Sequence, residues 1–116
     1  MPQTQSDQAQ GAQLTLDLGA LQPFLHPEVA GRKPLLVLKN EAMAGEPGLS
    51  KFGEPVRYVT RAEAGDRPWF EFTALKVEGE TARVEFRYPV EGVDGRVELR
   101  KNAGVWKIES HSIREK

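Results

Sequence analysis

The residues of this sequence that could do chemistry are few and widely separated. His26 and His111 are the two histidines, neither lies in a HExxH spacing, and there is no cysteine. Two isolated imidazoles cannot build a His-rich metal site, and a chain without thiols has no Cys-ligated zinc, iron–sulfur cluster or thiol nucleophile. We interpret His26 as a locally bonded turn residue and expect His111 to face solvent on the charged side of a strand. The sequence predicts no metal site.

Patterns for nucleophilic, phosphate-binding and acid–base chemistry are also missing. None of the serines lies in a GxSxG context, and the glycines form neither a GxGxxG nor a P-loop motif. The acidic residues fall in predicted turns or opposite Arg and Lys, which keeps them ionised rather than tuned for proton transfer. We therefore expect no catalytic residue, no cofactor and no enzymatic activity.

Two residues are candidates for contact with a partner, Trp69 and Arg96. Alternation along the first predicted strand places Trp69 on the outward face, near Pro89 and Arg96. An exposed Trp often marks a contact site, which is one interpretation of these two residues. The structural alternative is that Trp69 packs under a loop or against the guanidinium of Arg96.

These residues belong to a predicted antiparallel meander over residues 69–113. Four strands alternate apolar with charged residues, and turn signals separate them at residues 78–80, 91–95 and 102–104. In the first strand the alternation changes phase, which predicts a bulge near Thr73 and Ala74. One face of the sheet is therefore expected to be buried and the other charged and solvated.

Opposite charges on neighbouring strands suggest a register for the meander. We centre the second turn between Gly92 and Val93 and the third between Asn102 and Ala103, because directly opposed like charges are unfavourable. One outward row then alternates in sign: Glu71, Arg87, Glu98 and Lys107. The matching inward row is aromatic and aliphatic: Phe72, Phe86, Leu99 and Trp106. Lys76 opposite Arg83 is the unfavourable exception.

The N-terminal region gives weaker signals. Residues 1–13 are polar and aperiodic, which predicts a disordered tail, and residues 14–116 are expected to form a single domain. Leu14, Leu16 and Leu18 alternate as in a short strand, and residues 19–33 are expected to be an irregular connector or a single helical turn. The anchors of that connector would be Phe24 and Leu25.

Two elements precede the meander. Residues 34–44 fit either a helix or a buried strand, and the helix is favoured because Pro34 and Gly45 stand where a helix begins and ends. The stretch from Val56 to Val59 is β-rich and follows Pro55, which predicts an edge strand. The sequence therefore predicts an α+β fold. Its four- to five-stranded antiparallel meander is packed on one face by an N-terminal helix and irregular segments.

Composition limits the partners. With 16 basic and 17 acidic residues the net charge is −1, and the charges are scattered, so no nucleic-acid surface is expected. No apolar run approaches a membrane span, and a monomer is favoured. The chain as written reads as cytoplasmic; four glutamines among its first ten residues leave a periplasmic or secreted protein open, if a signal peptide has been removed.

The end of the chain, Gly104-Val105-Trp106-Lys107-Ile108 after a charged hairpin, resembles the final hairpin of small NTF2-like and cystatin-like bacterial domains. The resemblance covers about a third of the chain. It implies a helix-covered sheet but transfers no catalytic residue, since such folds host unrelated functions. The long amphipathic N-terminal helix of those domains is missing from this sequence.

Two kinds of function fit these observations. The first is a non-enzymatic interaction or accessory domain that binds protein through an edge strand or the Trp69 region. The second is an NTF2-like ligand-binding or enzymatic domain, which needs a pocket behind the sheet lined by Tyr58, Tyr88 and Trp106. A filled core would favour the first, and a cavity holding a buried carboxylate the second.

Overall fold

The chain folds with helices in its N-terminal part and strands in most of the remainder. A computed structural model describes residues 7–25, 35–40, 48–51 and 53–115. The helical elements are α1 (Asp7–Leu16), a 3₁₀ turn (Gly19–Leu21), α2 (Gln22–Leu25), α3 (Arg61–Ala64) and a second 3₁₀ turn (Pro89–Glu91). The strands are β1 (Leu36–Leu38), β2 (Ser50–Lys51), β3 (Glu54–Pro55), β4 (Arg57–Val59), β5 (Glu71–Glu78), β6 (Thr81–Tyr88), β7 (Val93–Asn102) and β8 (Val105–Glu115).

The strands β5 to β8 form a four-stranded antiparallel sheet in sequence order. The predicted α+β class and the four-stranded meander are therefore confirmed. We call the side that packs on α1 the inner face and the charged side the outer face. Elsewhere β1 pairs with β4 in parallel, and β2 pairs with β3 in antiparallel fashion.

The helix α1 replaces the tail and the short strand predicted near the N-terminus. Residues 7–13 lie in α1, so the prediction of disorder is wrong for them, while residues 1–6 fall outside the described residues. Leu14 and Leu16 are helical, and Leu18 follows the helix. The buried residues of α1 are Ala9, Gly11, Ala12, Thr15 and Leu16. Small residues let this helix approach the sheet closely, and that packing stabilises a segment whose own sequence is only weakly amphipathic.

Of residues 34–44, predicted to be a helix, the structure describes residues 35–40, and these contain the strand β1 instead; residues 34 and 41–44 lie outside the described residues. Leu35 and Val37 enter the main core, whereas Leu36 and Leu38 belong to a second apolar cluster. The other members of the second cluster are Val59, Ala64 and Trp69. Because both sides of β1 are buried, its apolar residues are consecutive in the sequence. Any consecutive apolar run contains residues three or four positions apart, so it also fits the spacing of a helix.

The remaining N-terminal predictions agree better with the structure. The helix α2 supplies the single turn expected around Phe24 and Leu25, with Leu25 fully buried. The predicted strand from Val56 to Val59 appears as β4. His26 and the rest of the connector, residues 26–33, lie outside the described residues.

The first hairpin of the sheet has the predicted register. Glu71 pairs with Arg87 and Phe72 pairs with Phe86, and the ladder shifts between Phe72 and Ala74 as the change of phase indicated. The like-charged pair, Lys76 opposite Arg83, is also present.

The register predicted between β6 and β7 is wrong. Arg87 pairs with Asp94, four positions along β7 from the predicted partner Glu98. The 3₁₀ turn Pro89–Glu91 ends β6 early, and Gly92 takes a left-handed φ of 66°, which closes the turn before β7 begins. The directly opposed outer-face pairs are nevertheless still of opposite sign: Arg87 with Asp94, Glu85 with Arg96, and Arg83 with Glu98.

The register predicted between β7 and β8 is also wrong. The turn is a two-residue loop, Ala103 and Gly104, with φ of 52° and 80°. Positive φ at both central residues matches the twist of paired strands, and Gly104 adopts it without a Cβ clash. Leu99 therefore pairs with Ile108 rather than with Trp106.

A bulge in β8 adds one residue, Glu109, between the partners of Leu99 and Glu98. Beyond the bulge the alternation of faces inverts. His111, predicted on the charged outer face, instead pairs with Val97 on the inner side, although it is exposed as expected.

The main core lies between α1 and the inner face. Phe70 is its centre, with ring centroids 5.0 Å from Phe72, 5.3 Å from Phe86 and 6.0 Å from Tyr88. With the corrected registers, one inward row across the sheet is Phe72, Phe86, Gly95 and Ile113. Leu99 and Trp106 remain in the core but in other rows.

Candidate functional site

Trp69 is buried rather than presented to solvent. Its side chain is 9% exposed and belongs to the second apolar cluster. The guanidinium carbons of Arg61 and Arg87 lie 4.7 and 5.1 Å from the centroid of its ring. The outward exposure predicted for Trp69 is therefore wrong, and the guanidinium groups that stack on it are not that of Arg96. A contact role for Trp69 stays a prediction.

Arg96 is exposed on the outer face. Its Nε lies 3.7 Å from Oε1 of Glu98 on the same strand. The side chain borders an open concavity of about 490 Å³ on that face. The other residues lining the concavity are Thr73, Glu85, Phe86, Arg87, Asp94, Gly95, Ser112 and Arg114. The structure thus places Arg96 and Arg87 at one surface and Trp69 beneath Arg87.

The charges around this concavity compensate one another. Arg87 donates from Nε to Oε1 of Glu71 at 2.6 Å, and Arg114 donates from Nε to Oδ1 of Asp94 at 3.1 Å. Recognition of phosphate or carboxylate relies on guanidinium groups that present their charge to the ligand. Because each arginine here already faces a carboxylate, the concavity is a solvated, paired surface rather than an anion site.

The two edges of the sheet differ in how their main chain is satisfied, and the edge of β5 is covered at Phe70, Phe72 and Leu75. The N–H of Phe70, just before β5, donates to Leu36 O at 2.8 Å, and Phe70 O accepts from the N–H of Leu38 at 2.8 Å. Asn40 donates from Nδ2 to Phe72 O at 2.8 Å. Gln8 of α1 donates from Nε2 to the carbonyl of Leu75 at 3.1 Å.

The direction of the main chain on β8 follows from its neighbours. The N–H of Lys101 on β7 donates to Glu80 O at 2.8 Å, towards the β6 side. Successive residues of a strand bond alternately to the two sides, so Asp94, Arg96 and Glu98 bond towards β8. Their partners on β8 are Arg114, Ser112 and Ser110, respectively. His111, Ile113 and Glu115 therefore turn their N–H and C=O groups to the open edge.

That edge of β8 is free along the part of the chain that the structure describes. β8 pairs with β7 and with no other described strand, and its main-chain groups make no hydrogen bond to the described loops and helices. The strand is 11 residues long. Unpaired edge groups of this kind are a ready template for another strand.

The two halves of β8 differ in how well they resist such pairing. The first half carries Lys107 and the bulge at Glu109, both of which hinder a strand from adding. Glu109 accepts from Nε of Arg100 at 2.8 Å, and this hydrogen bond is the main reason that the pKa of Arg100 is raised. The second half, residues 110–115, pairs regularly with β7 and contains neither a lysine nor a bulge.

The start of β8 is fixed to the helix on the inner face. Trp106 donates from Nε1 to Oδ1 of Asp7 at 2.9 Å, and Lys101 lies 3.4 Å from the same oxygen. The hydrogen bond from Trp106, together with that from Lys101, lowers the pKa of the Asp7 carboxyl. The helix therefore covers the beginning of β8 and leaves its end open.

Other kinds of site find no support in the described residues. No group of three or more His, Cys, Asp or Glu side chains within residues 7–25, 35–40, 48–51 and 53–115 could hold a metal ion. Among the helices described, none is both long and apolar enough to cross a bilayer.

The comparisons with known proteins add no functional information. The chain matches no protein-family model, and neither a curated protein nor a solved structure is significantly similar to it. The resemblance of the final hairpin to NTF2-like and cystatin-like domains therefore gains no further support.

The sequence pointed to a sheet edge in general but not to β8 in particular. Which residues turn their main chain outward depends on the bulge at Glu109, and no strong signal for that bulge exists in the sequence. In the sequence, the exposed residues of the last strand form a polar stretch around His111. Such a stretch indicates a solvent-exposed surface but does not identify the strand as a sheet edge.

Proposed function

We propose that this protein is a non-enzymatic interaction domain that binds another polypeptide by adding a strand to the free edge of β8. The observation that supports the proposal is the contrast between the edges: the edge of β5 is occupied by β1, Asn40 and Gln8, whereas that of β8 has no partner among the described residues.

Strand addition fits the chemistry of this edge. In this mode main-chain hydrogen bonds supply affinity, and alternate side chains supply specificity. The outward groups of His111, Ile113 and Glu115 offer the bonds, and the half-buried Ile113 offers an apolar contact at the rim of the inner face. Mutational series assign each new hydrogen bond about 0.5–1.5 kcal/mol, so several are needed for useful affinity.

The pocket alternative is less well supported. Tyr88 and Trp106, expected to line a pocket behind the sheet, are 1% and 4% exposed and belong to the packed core with α1. The concavity of about 490 Å³ lies on the outer face. Along the described residues the inner face is filled by α1 and the core side chains, which favours an interaction domain over a ligand-binding one.

A proline substitution tests the proposal without disturbing the core. His111→Pro removes an N–H that points to the open edge and leaves the ladder with β7 intact, because proline is tolerated at outward positions of edge strands. His111→Ala is the matched control, since it keeps the N–H. Polypeptides retained by the wild-type protein should be lost with His111→Pro and kept with His111→Ala.

Hydrogen exchange and chemical-shift screening distinguish an interaction domain from a ligand-binding domain. In the complex, the amides of His111 and Ile113 should gain protection from hydrogen exchange, while a metabolite mixture should leave all amide chemical shifts unchanged. Retention that is identical for wild type and His111→Pro, or a metabolite that shifts core resonances, would overturn the proposal.

A further inference from the structure

We infer that the strand accepted by β8 is the β8 of a second copy of this chain, in an antiparallel arrangement whose twofold axis passes through Ile113. The inference rests on the proposed function and names its partner. The resulting dimer would have one continuous eight-stranded sheet, with both α1 helices on the same side.

Main-chain geometry permits this pairing. His111, Ile113 and Glu115 all turn their N–H and C=O groups to the open edge, as the alternation of the ladder requires. With the axis at Ile113, this residue meets its own copy, and His111 meets Glu115 of the other copy. Each of these is a pair that can exchange both main-chain hydrogen bonds.

The side chains of the segment are complementary in the same register. On the inner side, Ile113 packs against Ile113, and the imidazole of His111 faces the carboxylate of Glu115. On the outer side, Ser112 faces Arg114. Direct cross-strand pairs of apolar or complementary polar residues are the stabilising unit of a sheet.

Neighbouring registers lose this complementarity. An axis at Ser112 sets Ile113 against His111 and brings Glu109 towards Glu115. An axis at His111 sets Ile113 against Glu109, which is the bulged residue and cannot continue a regular ladder. The regular segment of residues 110–115 is thus self-complementary about Ile113.

The inference departs from the monomer that composition favours. The outer charges form a solvated face, in which Arg87 and Arg114 are paired with carboxylates. The edge of β8 is a different surface from the outer face. Its outward N–H and C=O groups remain available whether or not the charged side chains of the outer face form ion pairs.

Sedimentation velocity over a wide concentration series tests the inference. The wild-type chain should pass from monomer to dimer as concentration rises, and His111→Pro should raise the dimer dissociation constant about tenfold or more, because two symmetry-related hydrogen bonds are lost. His111→Ala keeps those bonds and should retain the dimer. A chain that stays monomeric throughout overturns the inference.

Charge exchange tests the register. His111→Glu places a carboxylate against Glu115 at both ends of the pairing and should weaken the dimer, whereas His111→Glu combined with Glu115→Lys should restore it. Lys107→Glu lies on β8 outside the paired segment and should leave dimerisation unchanged. Failure of the double variant to recover the dimer rejects this register.

The outcomes separate this inference from the proposed function. If the chain alone is monomeric but another polypeptide protects the amides of His111 and Ile113 from exchange, the edge is a binding site and the second copy is not its occupant. If neither self-association nor a partner protects these amides, both proposals fail.

Discussion

The two edges of the sheet are built from the same kind of strand yet are treated in opposite ways. Along the β5 edge, Phe70, Phe72 and Leu75 accept hydrogen bonds from β1, Asn40 and α1, respectively. No described residue does this for β8. The covered edge is therefore part of the folding unit, whereas the free edge is available to a partner. The difference also predicts that substitutions at the two edges will have very different effects on stability.

The largest expected effect is at the covered edge. Phe70→Ala removes a side chain that is 0% exposed and contacts three aromatic rings, and it should lower the free energy of unfolding by about 3–5 kcal/mol. Urea unfolding would measure it. His111→Ala, the corresponding truncation at the free edge, should change stability by no more than about 0.5 kcal/mol. A similar loss of unfolding free energy in Phe70→Ala and His111→Ala would show that the two edges do not differ in their contribution to stability.

A substitution at Gly95 tests the corrected register. A Cβ at this position would lie 2.6 Å from Cζ of Phe86 and 2.7 Å from the carbonyl oxygen of Ser112, so Gly95→Ala must displace a core ring or the β8 backbone. The overpacking should cost about 1–3 kcal/mol in chemical unfolding. Gly19→Ala is the control, because nothing lies within 4 Å of its Cβ position. A neutral Gly95→Ala would favour a different strand pairing.

Asn40 tests the covering of β5 more gently. Its Nδ2 donates to Oε2 of Glu71 at 2.9 Å and to Phe72 O at 2.8 Å. Asn40→Ala should lower stability by about 1–2 kcal/mol and speed hydrogen exchange along β5. Lys39→Ala, whose side chain is exposed, serves as the control. Unchanged exchange in β5 would show that the side chain does not close this edge.

The smallest expected effect is the acid sensitivity of the contact between α1 and β8. Because the pKa of Asp7 is lowered in the folded state, its contribution to stability is present above its unfolded value, about 3.9, and is lost as pH falls through the folded value. Unfolding measured across this range should therefore show a steeper acid loss for the wild type than for Asp7→Asn.

The control for the pH experiment is Glu63. Hydrogen bonds from the backbone and side chain of Thr60 lower the pKa of that carboxyl as well, so an acid slope should persist in Asp7→Asn and become shallower again when Glu63→Gln is added. An Asp7→Asn variant with the wild-type slope would show that the bond to Trp106 does not stabilise the folded state.

Local sequence signals predicted the faces of the sheet but not its register. Alternation assigned the buried side of β6 and β7 correctly, because a shift by an even number of residues keeps every side chain on its face. The charges could not choose among such shifts. On both strands the charge changes sign from one outward residue to the next, so a slip of four residues again places opposite charges against each other. The outward charged residues are Arg83, Glu85 and Arg87 on β6 and Asp94, Arg96, Glu98 and Arg100 on β7.

Some missed features did have signals in the sequence. The helix α3 begins with a capping box, in which Thr60 and Glu63 bond each other's backbone, and its Thr-x-x-Glu spacing is readable. Pro89 followed by Gly92 indicated a turn that closes early. By contrast, the sequence of α1 has no strong amphipathic pattern. Its buried side consists mainly of small residues, which stabilise a helix only when a sheet lies close enough to pack against them.

The sequence by itself determined that this chain has a half-buried antiparallel meander with a charged outer face. Those properties follow from residue type and a period of two, which are local. The tertiary structure decided which edge is covered and which main-chain groups of β8 remain open. Both depend on contacts between distant segments, α1, β1 and the bulge at Glu109, that local pattern does not specify.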